Sequence, residues 1–129
     1  MIAPAENPTA QSVTFPRVTA LRVAEKYLAG LIVGSVRRQI VGSVRRHKPS
    51  VKDVEILFIP RTERRLNPAD MFAAADFDLA GHWITEQVRL GLLEKRRSRL
   101  GTVAWGARIK LAREVESGLP LDFFATTGE

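Results

Sequence analysis

Six consecutive residues, Val54-Glu55-Ile56-Leu57-Phe58-Ile59, limit the fold more than any other part of the chain. Their β-branched and aromatic content favours an extended strand, and Pro60 ends it. Successive strand side chains point to opposite faces. Val54, Ile56 and Phe58 therefore share one face, while Glu55 joins the preceding Asp53 on the other. Two carboxylates side by side repel each other, and something positive must neutralise them: the neighbouring arginines or a divalent metal. Further on, Leu119 to Ala125 is a second apolar stretch predicted as a strand, with Asp122 in its middle. A buried, unpaired carboxylate is costly, so a metal or an arginine is the expected partner of Asp122.

The rest of the chain places helices and turns around these strands. Met1 to Pro16 carries Pro4, Pro8 and Pro16 among small polar residues and is expected to be a flexible arm, with a single domain over 17–129. With 129 residues, 45% hydrophobic and 26% charged, the chain suits one soluble globular domain. Thr19 to Leu31 is predicted as a helix capped by Thr19, with Leu21, Ala24, Tyr27, Leu28 and Leu31 on its apolar face. A second helix is predicted from Asp76 or Asp78 to Leu90, ended by Gly91, with Phe77, Ala80, Trp83, Ile84 and Val88 inward. His82 has no second ligand at metal spacing and reads as an ordinary surface residue. Arg61 to Pro68 is charged and punctuated, the pattern of a surface loop. From Leu92 to Ala112 apolar and basic residues alternate around Gly101 and Gly106. This predicts a hairpin or two short strands with Arg96, Arg97, Arg99, Arg108, Lys110 and Arg113 exposed.

One constellation carries a resemblance. Gly42-Ser43-x-Arg45-Arg46 followed by Asp53-x-Glu55 resembles the active-site motif of the polymerase-beta-type nucleotidyltransferases, and most of all the palm of family X DNA polymerases and their small phage and bacterial relatives. That motif is a Gly-Ser turn opening a helix, then paired acids on the next strand. The interval from Gly42 to Asp53 is the family's, Asp122 stands where the family has its third carboxylate, and Trp105-Gly106 resembles a segment of the small members. The resemblance spans residues 17 to 126 in order. Together with the elements above it implies an α/β (α+β) palm: a short mixed, largely antiparallel sheet with two helices packed on one face.

The resemblance also implies a chemistry. Asp53, Glu55 and Asp122 would be catalytic and would hold two Mg2+ ions, with Mn2+ as a substitute. The triphosphate tail would meet Gly42, Ser43, Arg45 and Arg46. Glycine lets the backbone approach a phosphate, Ser43 offers a hydroxyl and a helix start, and Arg46 reaches the terminal phosphate; Arg45 stands either there or against a neighbouring acid. The implied reaction moves a nucleoside monophosphate from an NTP or dNTP to an acceptor hydroxyl, whose proton goes to Asp122 or a water.

The motif is present almost twice. Ile32 to Gln39 reads IVGSVRRQ and Ile40 to His47 reads IVGSVRRH, a match in seven of eight positions. Asp53 lies eleven residues after Gly42, but eleven residues after Gly34 comes Arg45, so the family's spacing selects the second copy. The first copy then takes the place of the family's leading turn, Gly34-Ser35, and strand, Val36 to Val41.

A net charge of +6 and a pI near 10.5 favour a polyanionic partner, DNA or RNA. Lys48, Lys52, Arg96, Arg97, Arg99, Arg108 and Lys110 are the candidate nucleic-acid contacts. The absence of cysteine excludes disulfides and thiolate metal sites, and no stretch reads as a signal peptide or membrane span, so a cytoplasmic protein is expected. There is no Walker-type GxxxxGK run. The family's polymerases place a thumb after the strand of the third acid, whereas this sequence ends seven residues after Asp122. A partner or oligomer is expected to supply the thumb, and the chain by itself to transfer slowly and with little base selectivity. Two rival readings stay open: a non-catalytic nucleic-acid-binding module that retains the palm, and a small antitoxin-type nucleotidyltransferase that modifies a protein or small molecule.

Overall fold

Alternation along Val54–Pro60 organises the molecule: Val54, Ile56 and Phe58 are buried, while Glu55, Leu57 and Ile59 are half-buried on the opposite face. The computed structural model describes residues 13–67 and 70–127. Its elements are β1 (Phe15–Pro16), α1 (Arg17–Gly30), β2 (Ser35–Val41), β3 (Ser50–Val51), β4 (Val54–Pro60), β5 (Thr62–Asn67), β6 (Asp70–Asp78), α2 (Leu79–Arg89), β7 (Leu93–Lys95), β8 (Ile109–Glu114) and β9 (Pro120–Ala125). The main sheet has the order β2-β4-β9-β8-β7, in which β4 and β9 run parallel and the other pairs antiparallel. This is the mixed, largely antiparallel α+β architecture that the sequence implies.

Both helices cover the face of Val54, Ile56, Leu121 and Phe123. Tyr27 of α1 meets the ring of Trp83 in α2 at 5.8 Å and that of Phe123 in β9 at 6.2 Å, so one aromatic side chain ties both helices to the sheet. Helix α1 starts at Arg17 rather than behind a Thr19 cap. Pro16 is its N-cap residue, and the Arg17 amide donates to the Pro49 carbonyl at 2.9 Å instead of to a side chain. Phe15 and Pro16, assigned to the arm by the sequence reading, pair with Val51 and Ser50; the arm up to residue 12 lies outside the described residues. Asp78 caps α2 as expected, accepting from the Gly81 amide at 2.9 Å, and Gly91 follows the helix with φ +82°.

Residues 61–67 correct the sequence reading, and Pro68 lies outside the described residues. Instead of a surface loop, Thr62–Asn67 pairs with Asp70–Asp78 as an antiparallel ribbon that also absorbs Asp76 and Phe77 from the expected helix. Cross-strand pairs offset its charged composition. Arg64 lies 3.4 Å from Asp76, and the Arg65 guanidinium stacks over the Phe77 ring at 3.8 Å.

The Gly-Ser pairs of the twin octapeptides end up at opposite ends of β2. Gly34 precedes the strand and lies against α2, where an added Cβ would meet the Ala80 backbone nitrogen at 2.9 Å. The Ser35 hydroxyl donates to the Leu31 carbonyl at 2.6 Å and tightens this turn. Gly34→Ala is expected to cost about 1–3 kcal/mol, the usual range for overpacking. Urea unfolding checks this as a lowered midpoint at unchanged slope, and an unmoved midpoint would contradict the close approach.

Candidate metal centre

The parallel register of β4 with β9 sets Glu55 opposite Asp122. Both project from the face away from the helices, since their neighbours Val54, Ile56, Leu121 and Phe123 fill the core. Asp53, in the two-residue link between β3 and β4, joins them, and one carboxylate oxygen from each residue lies within 4.8 Å of the others. Asp122 is 5% exposed, while Asp53 and Glu55 are half-buried. Burial pushes the pKa of Glu55 up, the charges of Asp53 and Asp122 push it further, and Arg46 pulls the other way. Burial also raises the pKa of Asp122, against the hydrogen bond and charge of Arg96; Asp53 adds a smaller upward push. Hard oxygen donors carrying surplus negative charge suit Mg2+ or Mn2+.

Beside the acids, Gly42 turns the chain with φ +77°, and a Cβ there would stand 2.3 Å from the Glu55 Oε1 atom. The turn therefore needs glycine both for its dihedral and for its approach to the carboxylate. The expected helix after Gly42-Ser43 is not formed. Residues 42–47 make successive turns, with the Arg46 amide donating to the Gly42 carbonyl at 3.2 Å and that of His47 to Val44 at 3.1 Å. Pro49 and the positive φ of His47, +62°, stop the coil from propagating. The helix-start argument for anion binding therefore falls, and side chains are left to supply the donors. Arg46 Nη2 donates to Ser43 Oγ at 3.3 Å, and the two line a cleft of about 400 Å³ with Gly42, Lys48, Asp53 and Glu55.

Sequence reasoning missed Arg17. Its guanidinium Nη2 donates to the Val44 carbonyl at 3.1 Å and lies 3.2 Å from His47 Nδ1, clamping the turn from α1. No motif marks it; an arginine opening a helix reads as solvent-facing. Val44 anchors the same turn from inside, at 1% exposure.

The basic candidates divide. Lys48 and Lys52 are exposed at the cleft, whereas exposed Arg45 lies outside its lining. Three residues expected to be exposed are not: Arg113 on β8 is half-buried, and Arg96 and Lys110 are held inward. Arg96 is drawn in by Asp122, its Nη2 lying 2.5 Å from Oδ1, and Lys110 is 6% exposed with its ammonium donating to the Gly106 carbonyl at 2.7 Å. Burial lowers the pKa of Lys110, partly offset by Asp78. Arg97 donates to the Gly101 carbonyl of its own loop, and Arg108 lies by Ala125 and Thr126 at the far end of β9. Arg99 lines a second cleft of about 740 Å³ with Arg96, Arg113, Lys52 and Asp53, the last two also lining the first cleft. His82 is exposed beside Phe77.

No protein-family model matches the chain, and no curated protein matches it either. Among the described residues no helix is long and apolar enough to cross a membrane.

A carboxyl whose folded pKa lies above its unfolded value binds its proton more tightly when folded. Its burden on stability is absent below the unfolded value and complete above the folded one. Metal-free stability is therefore expected to fall as pH rises from the ordinary carboxylate range through the raised values of Glu55 and Asp122. Glu55→Gln should flatten that fall and raise Tm at neutral pH; an unaltered profile in melts from about pH 4 to about pH 8 would contradict the mutual repulsion. Arg17→Met should speed amide hydrogen exchange at Val44 to Lys48 more than in the sheet, and uniform acceleration would mean that Arg17 holds no particular turn.

Proposed function

We propose that this chain is a metal-dependent nucleotidyltransferase palm that moves a nucleoside monophosphate from a nucleoside triphosphate to an acceptor hydroxyl, acting in the cytoplasm. The observation that carries this reading is the convergence of Asp53, Glu55 and Asp122, with Asp53 and Glu55 lining one cleft together with the Gly42-Ser43-Arg46 turn. The sequence resemblance to polymerase-beta-type enzymes supports it, because that motif predicts the same grouping. Asp53, Glu55 and Asp122 are the residues that would hold divalent cations, and cations bound there supply charge stabilisation for the attacking and departing oxygens.

The chain's own residues do the rest. Gly42 leaves room for a phosphate beside the backbone, Ser43 donates its hydroxyl, and Arg46 swings from Ser43 Oγ to two oxygens of the terminal phosphate. Lys48 and Lys52 add positive charge at the rim. The acceptor oxygen bonds to the α-phosphorus as the bond to the bridging oxygen of pyrophosphate breaks, and the hydroxyl proton passes to Asp122. The rival binding-module reading, a continuous basic track, is weakened by where the basic side chains point. Arg97, Arg108 and Lys110 do not line either cleft beside Asp53.

Asp53→Asn is expected to abolish Mn2+ binding in calorimetric titration while the protein stays folded; unchanged affinity would overturn the metal assignment. Arg46→Ala should weaken nucleoside triphosphate binding by about 1.5–3 kcal/mol, the worth of a hydrogen bond to a charged group. Arg38→Ala, at the matching place in the first octapeptide, should have a much smaller effect, because Arg38 lies on β2 beside Phe58. Labelled triphosphates with Mg2+ or Mn2+ and a panel of acceptor hydroxyls test the transfer itself. Failure to label any acceptor would leave only a binding function.

A further inference from the structure

We infer that Arg96 couples two ligands: a divalent cation at the carboxylate centre and an oxyanion of phosphate type in the second cleft, each favouring the other. The inference rests on the metal reading of the centre and adds a linked anion site to it.

Arg96 stands on the boundary between the two places. Its amide donates to the Leu111 carbonyl at 2.9 Å, its Nε to the Ala112 carbonyl at 3.3 Å and its Nη2 to Asp122 Oδ1 at 2.5 Å. These bonds seat the guanidinium against β8 and β9 with the side chain still 21% exposed. A guanidinium has five N–H donors. Among the described residues the Nε and Nη2 bonds use two, which leaves three, and the residue lines the second cleft with Lys52, Arg99 and Arg113. Lys52 and Arg99 are exposed there, and Arg113 reaches Glu94 only at 3.9 Å.

The coupling follows from charge. A guanidinium bonded to Asp122 opposes any cation that shares that carboxylate, since like charges a few ångströms apart repel strongly away from bulk water. An oxyanion on the cleft side of Arg96 neutralises that opposition and takes over the donors that a cation would loosen from Asp122. The free energy of such a linkage is reciprocal, so the cation must improve anion binding by the same factor. Occupation of either place therefore prepares the other, whichever ligand arrives first.

The test measures Mn2+ affinity by calorimetry on the full chain at constant ionic strength, with and without saturating ligand in the cleft. One arm uses inorganic sulfate as a free oxyanion, the other a short oligothymidylate as a phosphodiester. Both arms are run on the wild type, Arg96→Gln and Arg99→Gln. In the wild type Mn2+ should bind at least ~5-fold more tightly with the anion present, the lower end of usual coupling. A gain with sulfate identifies a free anion as sufficient, and a gain with the oligonucleotide alone identifies a strand. Arg96→Gln should bind Mn2+ more tightly than the wild type without anion and lose the response to it. Arg99→Gln should keep wild-type Mn2+ affinity and bind the anion more weakly; equal anion affinity there would remove the cleft from the proposal. No anion effect in the wild type, or a full effect in Arg96→Gln, overturns the coupling while leaving the metal reading intact. No Mn2+ binding in the wild type removes both. The wild-type arms stand even if Arg96→Gln is too unstable to measure.

Discussion

The parallel pairing of β4 with β9 is the constraint on which the rest depends. Its register fills the core with Val54, Ile56, Leu121 and Phe123, and the same register forces Glu55 and Asp122 side by side on the opposite face. The hydrophobic gain on one face and the electrostatic burden on the other cannot be separated, because side chains alternate along both strands. A slip of one residue would bury the acids and expose the core. The raised pKa values of Glu55 and Asp122 therefore follow from the topology, and Arg96, reaching over from the end of β7, is the fold's own partial answer.

Much of this was legible in the sequence. Alternation in Val54 to Ile59 named the strand and its two faces, and the cost of an isolated buried acid predicted that Asp122 would have a partner. Helix α2 was readable because Asp78 and Gly91 are strong local signals at its ends. What stayed hidden was tertiary. The Thr62–Asn67 ribbon looks like a charged loop because its stabilising pairs, Arg64 with Asp76 and Arg65 with Phe77, lie twelve residues apart. Arg17 and Arg96 read as surface cations, since nothing in their neighbours says which carbonyl or carboxylate they will meet. The missing helix after Ser43 shows that a familiar turn does not guarantee the element that usually follows it.

The repeated octapeptide makes the same point within one chain. Val36-Arg37-Arg38 is extended in β2, with Val36 54% exposed, whereas Val44-Arg45-Arg46 is coiled into turns with Val44 buried. Identical local propensities reach opposite outcomes because β4 offers backbone partners to the first copy, while Arg17 and the core claim the second.

The first copy also changes how the surface behaves. In the sheet order β2 stands at an end, so one side of its backbone faces outward among the described residues. An unpaired strand edge is a template on which another chain can add itself. Arg37 and Arg38, which repeat Arg45 and Arg46 in sequence but do not line the cleft that Arg46 lines, place two like charges on that edge strand. An approaching copy of the same strand would bring its own pair against them. Like-charge repulsion between the two pairs opposes that edge-to-edge pairing of identical strands.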